Sequence, residues 1–476
     1  MARGAIFNHA AQIGTACAQI AYAAVTSRLL DPHLFGVLAA SLTSAALISL
    51  LAVAGLPQII GRMAVLDANR LVGLLTYAVA VGLAGALLLA ATSELWATIW
   101  GVPDAGSMIR LLAVASFFTP LVALGNGLFA RSGRFRTLAA VTLASNVGAM
   151  AIGILVVLGA RSAESLAVAP ILSQASIGAA GLILSRSLFS GGRIRWAETQ
   201  TDLHFSAKSI FASVLIYLSN SVPRVCVSQG FGTSTLGNMN RAEAITTTPF
   251  YLFGFSMLQV IYPEFRHDRG SGERTRRVWS DLLGIVGWLC VPLGAFVAVL
   301  APLAVHILFG DQWNEAANMA RVLAVIGSIQ PLAFVLVGGF EALGRFSWLW
   351  AGFTVSIVVN VAGAVAALAA QSITFIFAGM LLGHLTMHVL HLVLAVREGL
   401  LGFRKVARHY LEIGGCALAI ALVTFVATHG VELWRTAAWL VIVTAVLLVL
   451  GGALLWRFRA FFPPVRLARA YGLLRR

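Results

Sequence analysis

The chain predicts an all-α integral membrane fold of about fourteen transmembrane helices, and three observations carry that expectation. Of its 476 residues 59% are apolar and only 11% charged, and the mean hydropathy is +0.90; a soluble domain carries about 25% charged residues. Apolar stretches of about 20 residues, the length that spans ~30 Å of hydrocarbon as helix, recur along the whole sequence. Between them lie short segments in which basic clusters alternate with nearly uncharged turns. A net charge of +15 invites a nucleic-acid partner, but Lys and Arg in cytosolic loops account for basic charge in a membrane protein. Nucleic acid is therefore set aside.

Apolar windows bounded by Arg, Gly, Pro or acidic residues place helices near 5–28, 34–60, 71–92, 107–130, 137–159 and 165–187, a first lobe over 1–188. A polar connector at 189–204 follows, containing SGGRIRWAETQTDLH. A second lobe over 205–400 holds helices near 205–229, 235–263, 278–303, 316–343, 348–370 and 373–396. Two additional helices, near 411–428 and 437–456, fill 401–456, and a basic tail covers 457–476.

With the N-terminus in the cytosol, 25 of the 33 Lys and Arg fall in cytosolic segments, five on the opposite side and three inside helices, at Lys208, Arg224 and Arg241. Such an asymmetry orients the chain, and the even helix count places both termini in the cytosol. Clusters at Arg131/Arg134/Arg136, Arg266/Arg269/Arg274/Arg276/Arg277 and Arg397/Arg404/Lys405/Arg408 read as anchors at the cytosolic interface. The first segment carries Asn8, His9, Gln12 and Gln19, which interrupt any signal-peptide core, so it is expected to stay in the mature chain. Cys17, Cys226, Cys290 and Cys416 lie far apart inside apolar stretches without metal-ligand spacing, and are expected to be buried free thiols.

The two lobes repeat one another. Residues 108–135 set against 319–346, at a constant offset of 211, share twelve identities in 28 positions, among them Met108, Arg110, Pro120, Gly127, Phe129, Gly133, Arg134 and Phe135. Asn146 and Val147 match Asn360 and Val361 at an offset of 214. Because each repeat has an even number of helices, the halves should be related by an axis along the membrane normal, an arrangement that places a substrate site between repeats.

Polar stripes accompany the repeat. The first helix carries Asn8, Gln12, Thr15, Gln19, Tyr22 and Thr26 at spacings of three and four, which share one face. The seventh carries Ser209, Ser213, Tyr217, Asn220 and Arg224 in the same rhythm, and an offset of 201 superposes Asn8, Gln12 and Gln19 on Ser209, Ser213 and Asn220. Two readings apply: hydrogen-bonding glue between packed helices, or the lining of a substrate path. Stripes about four to five turns long favour the path.

Arg224 is the sharpest residue, because a charge at mid-bilayer costs ~2.5–3.5 kcal/mol on insertion scales. It either faces inward on its stripe or snorkels to the headgroups. Arg241 and Glu243 follow at similar depth in the eighth helix beside Asn238 and Asn240. Two guanidiniums and one carboxylate make a hydrated, net cationic cluster suited to a pyrophosphate or an acidic sugar. His384, His388 and His391 share a face of the twelfth helix; they fit packing, proton coupling at His384 and His388, or metal binding. No Cys or carboxylate completes a metal set, and no cofactor or metal is expected. Glu341 near Arg345 is expected to be paired or hydrated at a helix end.

Several short segments together resemble the polysaccharide transporter family within the superfamily of multidrug, oligosaccharidyl-lipid and polysaccharide exporters. They are Ser27-Arg28-Leu29-Leu30 leading to Phe35-Gly36, Gly55-Leu56 ahead of Arg62, Arg134-Phe135-Arg136, Leu236-Gly237 with Ala242, Val260-Ile261-Tyr262-Pro263, and Phe309-Gly310 with Trp313. The resemblance implies two six-helix bundles around a V-shaped cavity in the bacterial cytoplasmic (inner) membrane. It also implies alternating access and flipping of an undecaprenyl-pyrophosphate oligosaccharide for lipopolysaccharide or exopolysaccharide synthesis, with a polysaccharide polymerase as a partner. Many relatives carry an acidic residue near the position of Arg224 and an aromatic at that of Met239. Lipid II flippases carry arginines in the second helix, whereas 34–60 here has none, which argues against lipid II.

Two alternatives remain: a soluble drug or metabolite antiporter of the same superfamily, and a membrane polymerase or ligase. An enzyme of the latter kind would carry a long extracytosolic loop with catalytic charges, and the outer segments here are short, 94–106 being among the longest. No nucleophile constellation or phosphate-cradling loop is present either, so a transporter rather than an enzyme is expected.

Overall fold

The computed structural model describes residues 2–53, 55–63, 65–194, 207–251, 254 and 272–429. Among these the regular structure is helical: α1 (Ala2–Leu29), α2 (Pro32–Val53), α3 (Leu56–Arg62), α4 (Ala68–Ala91), α5 (Ser93–Trp100), α6 (Ala105–Arg131), α7 (Phe135–Ala160), α8 (Val168–Leu184), α9 (Ala207–Phe231), α10 (Thr233–Ile245), α11 (Glu273–Phe309), α12 (Asn314–Ala342), α13 (Phe346–Ala370), α14 (Thr374–Arg397) and α15 (Phe403–His429). Eleven spans among the described residues are long and apolar enough to cross a membrane, and the chain is a multi-pass membrane protein. The expected helix at 437–456, the tail at 457–476 and the arginines at 266 and 269 lie outside the described residues.

Local chemistry explains the ends. Asp31 accepts from the Leu34 amide at 3.1 Å, ahead of a proline in the first turn of α2. Asp67 caps α4 by accepting from Arg70 N at 3.2 Å. Two expectations need correction. The helix expected over 34–60 is two helices, because Gly55 adopts φ 75° and redirects the chain between α2 and α3. The segment 94–106, expected as loop, contains α5, whose Trp100 is fully buried.

The chain divides into two compact units, 1–240 and 241–476. The division expected from the repeat falls at the connector 189–204 instead. The two divisions differ by α9 and most of α10, and α9 packs on α2 and α5 in the first unit. In that unit α6 is central, with α2, α4 and α8 against it and α1 against α7. Leu56, Ile60, Leu71, Leu74, Leu124 and Leu128 join α3, α4 and α6 in one buried cluster. In the second unit α11 packs on α12 and α15, and α14 on α13 and α12.

The repeat is visible in the backbone. Gly133 and Gly344 turn at φ 68° and 71°, and Arg134 N donates to Phe129 O at 2.8 Å as Arg345 N donates to Phe340 O at 2.9 Å. Further along, Arg161 (φ 46°) and Gln371 (φ 52°) end α7 and α13 in the same left-handed conformation. The offset there is 210.

Candidate functional site

The α9 stripe is anchored in the first unit by side chains at several levels. Tyr217 Oη donates to the Thr43 carbonyl of α2 at 3.1 Å, and Tyr217 also bonds Ser221 and feels the Arg224 charge. Higher on α9, Ser228 Oγ donates to the Trp100 carbonyl at 2.7 Å while Trp100 Nε1 donates to Ser44 Oγ at 2.9 Å. Gln229 Nε2 donates to Thr98 O at 3.1 Å and Ile99 O at 2.9 Å. Asn220 and Arg224 lie half-buried between these levels, as does Ser213 below Tyr217. Pro223 removes the amide that would donate to the Ser219 carbonyl, loosening the helix beside Arg224.

On α1 the stripe divides. Gln12 is half-buried and Gln19 exposed, while Tyr22 turns onto α7, where Gly153 leaves room for its ring. Thr26 Oγ1 donates to its own helix at Tyr22 O, 2.7 Å away. So Gln19 is exposed, Tyr22 packs against α7 and Thr26 bonds within its own helix. The side chains of Asn8 and Ser209 lie outside the described residues. On α10, Arg241 and Glu243 are 7% and 6% exposed, and Asn238 Nδ2 donates to Ser234 O at 3.1 Å.

One contact was not sought from the sequence. A Cβ added to Gly36 on α2 would meet the Thr233 carbonyl at 1.9 Å, and one added to Gly237 on α10 would meet the Pro32 carbonyl at 1.8 Å. Pro32 and Gly36 become Thr233 and Gly237 at the offset of 201 that superposes the stripes. The first turns of α2 and α10 therefore interlock reciprocally, each glycine receiving the other's carbonyl.

In the second unit the three histidines are buried on α14, each with a different partner. His384 Nδ1 lies 2.8 Å from Met380 O, and its Nε2 lies 3.3 Å from Gln330 Nε2 on α12. His388 Nε2 lies 2.7 Å from Tyr410 Oη on α15. His391 Nε2 donates to Trp348 O at 3.2 Å, in a space kept open by Gly352. The described residues contain no group of three or more metal-ligating side chains. Arg345 pairs with Glu398 at 3.5 Å, and Glu341 is half-buried. All four cysteines are free, but only Cys290 is buried; Cys17 is exposed and the other two are intermediate.

A family model described as polysaccharide biosynthesis protein matches residues 25–318, more than half of the chain. The chain belongs to that family. Among curated members of similar sequence, it is 22% identical over 313 residues to the lipopolysaccharide biosynthesis protein WzxC of Escherichia coli, covering 65% of this chain and 63% of that one. It is 24% identical over 328 residues to the succinoglycan biosynthesis transport protein ExoT of Rhizobium meliloti, covering 67% and 65%. The match thus spans less than two thirds of the length of these relatives. In fold, this family member resembles the lipid II flippase MurJ in an inward closed conformation, with TM-score 0.75, 11% identity and 96% and 99% of the two chains covered. It also resembles an inward-facing multidrug resistance MATE transporter of the MOP superfamily, with TM-score 0.58, 14% identity and 87% and 98% covered.

The sequence reading passed over two polar groups. Ser49 on α2 meets Ser116 at 3.4 Å and Thr119 at 3.5 Å on α6, and Gln330 and Tyr410 meet the histidines from other helices. None belongs to a stripe. The available signal was the repeat, since Thr119 and Gln330 are equivalent and each precedes a proline, Pro120 or Pro331.

Proposed function

We propose that this chain is a flippase that moves an undecaprenyl-pyrophosphate oligosaccharide across the bacterial cytoplasmic membrane for surface polysaccharide synthesis, with both termini in the cytosol. Family membership carries this reading, and the half-buried polar levels of α9 support it. The two lobes, 1–188 and 205–400, alternate access, with 401–456 added to the second and 457–476 a basic cytosolic tail. Asn8, Gln12 and Gln19 on α1, and Tyr217 and Asn220 on α9, hydrogen-bond sugar hydroxyls. Arg224 and Arg241 hold the anionic head group, since a guanidinium forks onto phosphate oxygens, and Glu243 limits the net charge. His384 and His388 take part in proton coupling. A polymerase on the opposite side of the membrane receives the flipped units.

No step needs a nucleophile or cofactor, because flipping breaks no bond. The half-buried α9 residues would offer weak, multiple contacts to a passing ligand, the requirement for transport rather than tight binding. Deleting the gene should leave lipid-linked oligosaccharide units on the cytosolic leaflet and abolish surface polymer. Units reaching the outer leaflet at the normal rate in the deleted strain would contradict the reading.

A further inference from the structure

The repeat and the hydrogen bonds of the second unit single out one imidazole with no titratable counterpart in the first. Asn146 Oδ1 accepts from Ser173 Oγ at 2.9 Å, joining α7 to α8. Its counterpart Asn360 places Oδ1 2.9 Å from where a Cβ of Gly383 would stand, joining α13 to α14 at the same level. The offset from Ser173 to Gly383 is 210, the same as from the helix-ending Arg161 to Gln371. The next residue along is Gln174 on α8 and His384 on α14. A neutral amide in one unit is thus replaced by an imidazole in the other.

The partners of His384 determine its protonation state. The Met380 carbonyl can only accept, so Nδ1 carries a hydrogen. In the neutral ring Nε2 is then an acceptor, and the Gln330 amide offers it an N–H across 3.3 Å. A proton added at Nε2 turns that nitrogen into a donor. The Gln330 amide must then rotate by about half a turn to present its oxygen. Gln330 stands directly before Pro331, whose missing amide leaves α12 without the helical bond to the Gly327 carbonyl. Rotation of the amide therefore acts beside that missing bond.

Among the described residues none acts on His384 as a fixed counter-ion. α13, packed along α14, carries no ionisable side chain. On α12 Glu341 sits about three turns beyond Gln330 and Arg321 about two and a half turns before it, and on α15 Tyr410 faces His388. The ionisable group acting on His388 is His391. The carboxylate Asp281 of α11 is engaged by Lys405, with Arg277 at 3.9 Å, and its field together with Lys405, Arg408 and Glu412 acts on His409. His388 Nδ1 and His391 Nδ1 are buried without hydrogen-bond partners, so two further ring nitrogens lie along the same helix face toward Arg397.

We propose that the second unit binds a single proton at His384 Nε2, and that the orientation of the Gln330 amide reports its presence to the proline kink of α12. This rests on the proton-coupling reading of His384 and names its atom and its reader. Only a proton moves, from water to a ring nitrogen, and no electron transfer accompanies it. The full-length chain, labelled with 15N at histidine and held in lipid nanodiscs, should show the His384 ring passing from the Nδ1–H neutral form to the doubly protonated form as pH is lowered across the range in which the chain stays folded. His384→Gln, which installs the residue of the first unit, should remove that signal, and Gln330→Glu should move its midpoint upward by at least tenfold in proton concentration. In cells, His384→Gln at equal abundance should lower surface polymer about tenfold. The inference is overturned if the His384 ring keeps one form across that range, or if His384→Gln exports as wild type does. Failure of the flippase reading would show instead in the gene deletion, and leaves the nanodisc titration as an independent readout.

Discussion

The α6–α8 hairpins of the first unit and the α12–α14 hairpins of the second keep the same turns but spend their polar groups differently. Both pass through a left-handed glycine, Gly133 or Gly344, and both end the next helix on a left-handed non-glycine residue. In the first unit, Arg134 Nη1 donates to the Leu184 carbonyl at 3.0 Å and covers Phe129. In the second, Arg345 pairs with Glu398 and covers Trp348. The hydroxyls of Ser49, Ser116 and Thr119 beside Pro120 give way to the Gln330 and His384 pair beside Pro331. Duplication preserved the backbone, where hydrogen-bond geometry tolerates little change, while side chains at the kinks diverged from hydroxyl to imidazole chemistry.

The comparison can be broken most severely at the reciprocal glycines. Gly36→Val and Gly237→Val each force a side chain against a carbonyl at under 2 Å, an overpacking worth ~1–3 kcal/mol or more. Both should strongly reduce monodisperse protein in detergent chromatography, and by similar amounts. If one were tolerated, the two positions would not be equivalent.

Arg224 comes next. Arg224→Ala and Arg224→Glu should lose most export at normal membrane abundance, and Arg224→Lys should keep part of it, because a cation offsets phosphate desolvation. A snorkelling arginine would tolerate Gln near the interface. Wild-type export by Arg224→Ala would leave Arg241 as the cationic candidate.

Smaller effects sharpen the contrast between buried and exposed polar groups. Trp100→Phe leaves Ser44 without its indole donor and should cost about 1 kcal/mol in thermal-shift stability. Ser173→Ala removes the α7–α8 bond to Asn146 and should cost about 0.6 kcal/mol, the average for interhelical bonds in membranes. Arg110→Ala breaks an exposed pair with Glu94 at 2.5 Å and should change stability by no more than about 1 kcal/mol.

The sequence made long elements legible where hydropathy and caps agreed. The span expected at 137–159 is Phe135–Ala160, and that at 348–370 is Phe346–Ala370. It failed at Gly55, where one backbone angle divides an unbroken apolar run, and at α5, a helix too short to span. The stripe of α9 was legible because its residues recur at helical spacing. Tyr410, Gln330 and the Gly36–Gly237 interlock were not, since each depends on a residue from a helix distant in sequence. Periodicity reports one face of one helix and is silent about which neighbour meets it.

The flippase reading is tested most directly by reconstituting the purified full-length chain in liposomes that contain an undecaprenyl-pyrophosphate oligosaccharide. The measurement is the rate at which its sugar becomes accessible to a glycosidase added outside. The account predicts rapid exposure of the inner pool with wild-type protein and a rate near that of protein-free liposomes with Arg224→Glu. Equal, slow exposure with wild-type protein and with empty liposomes would contradict it.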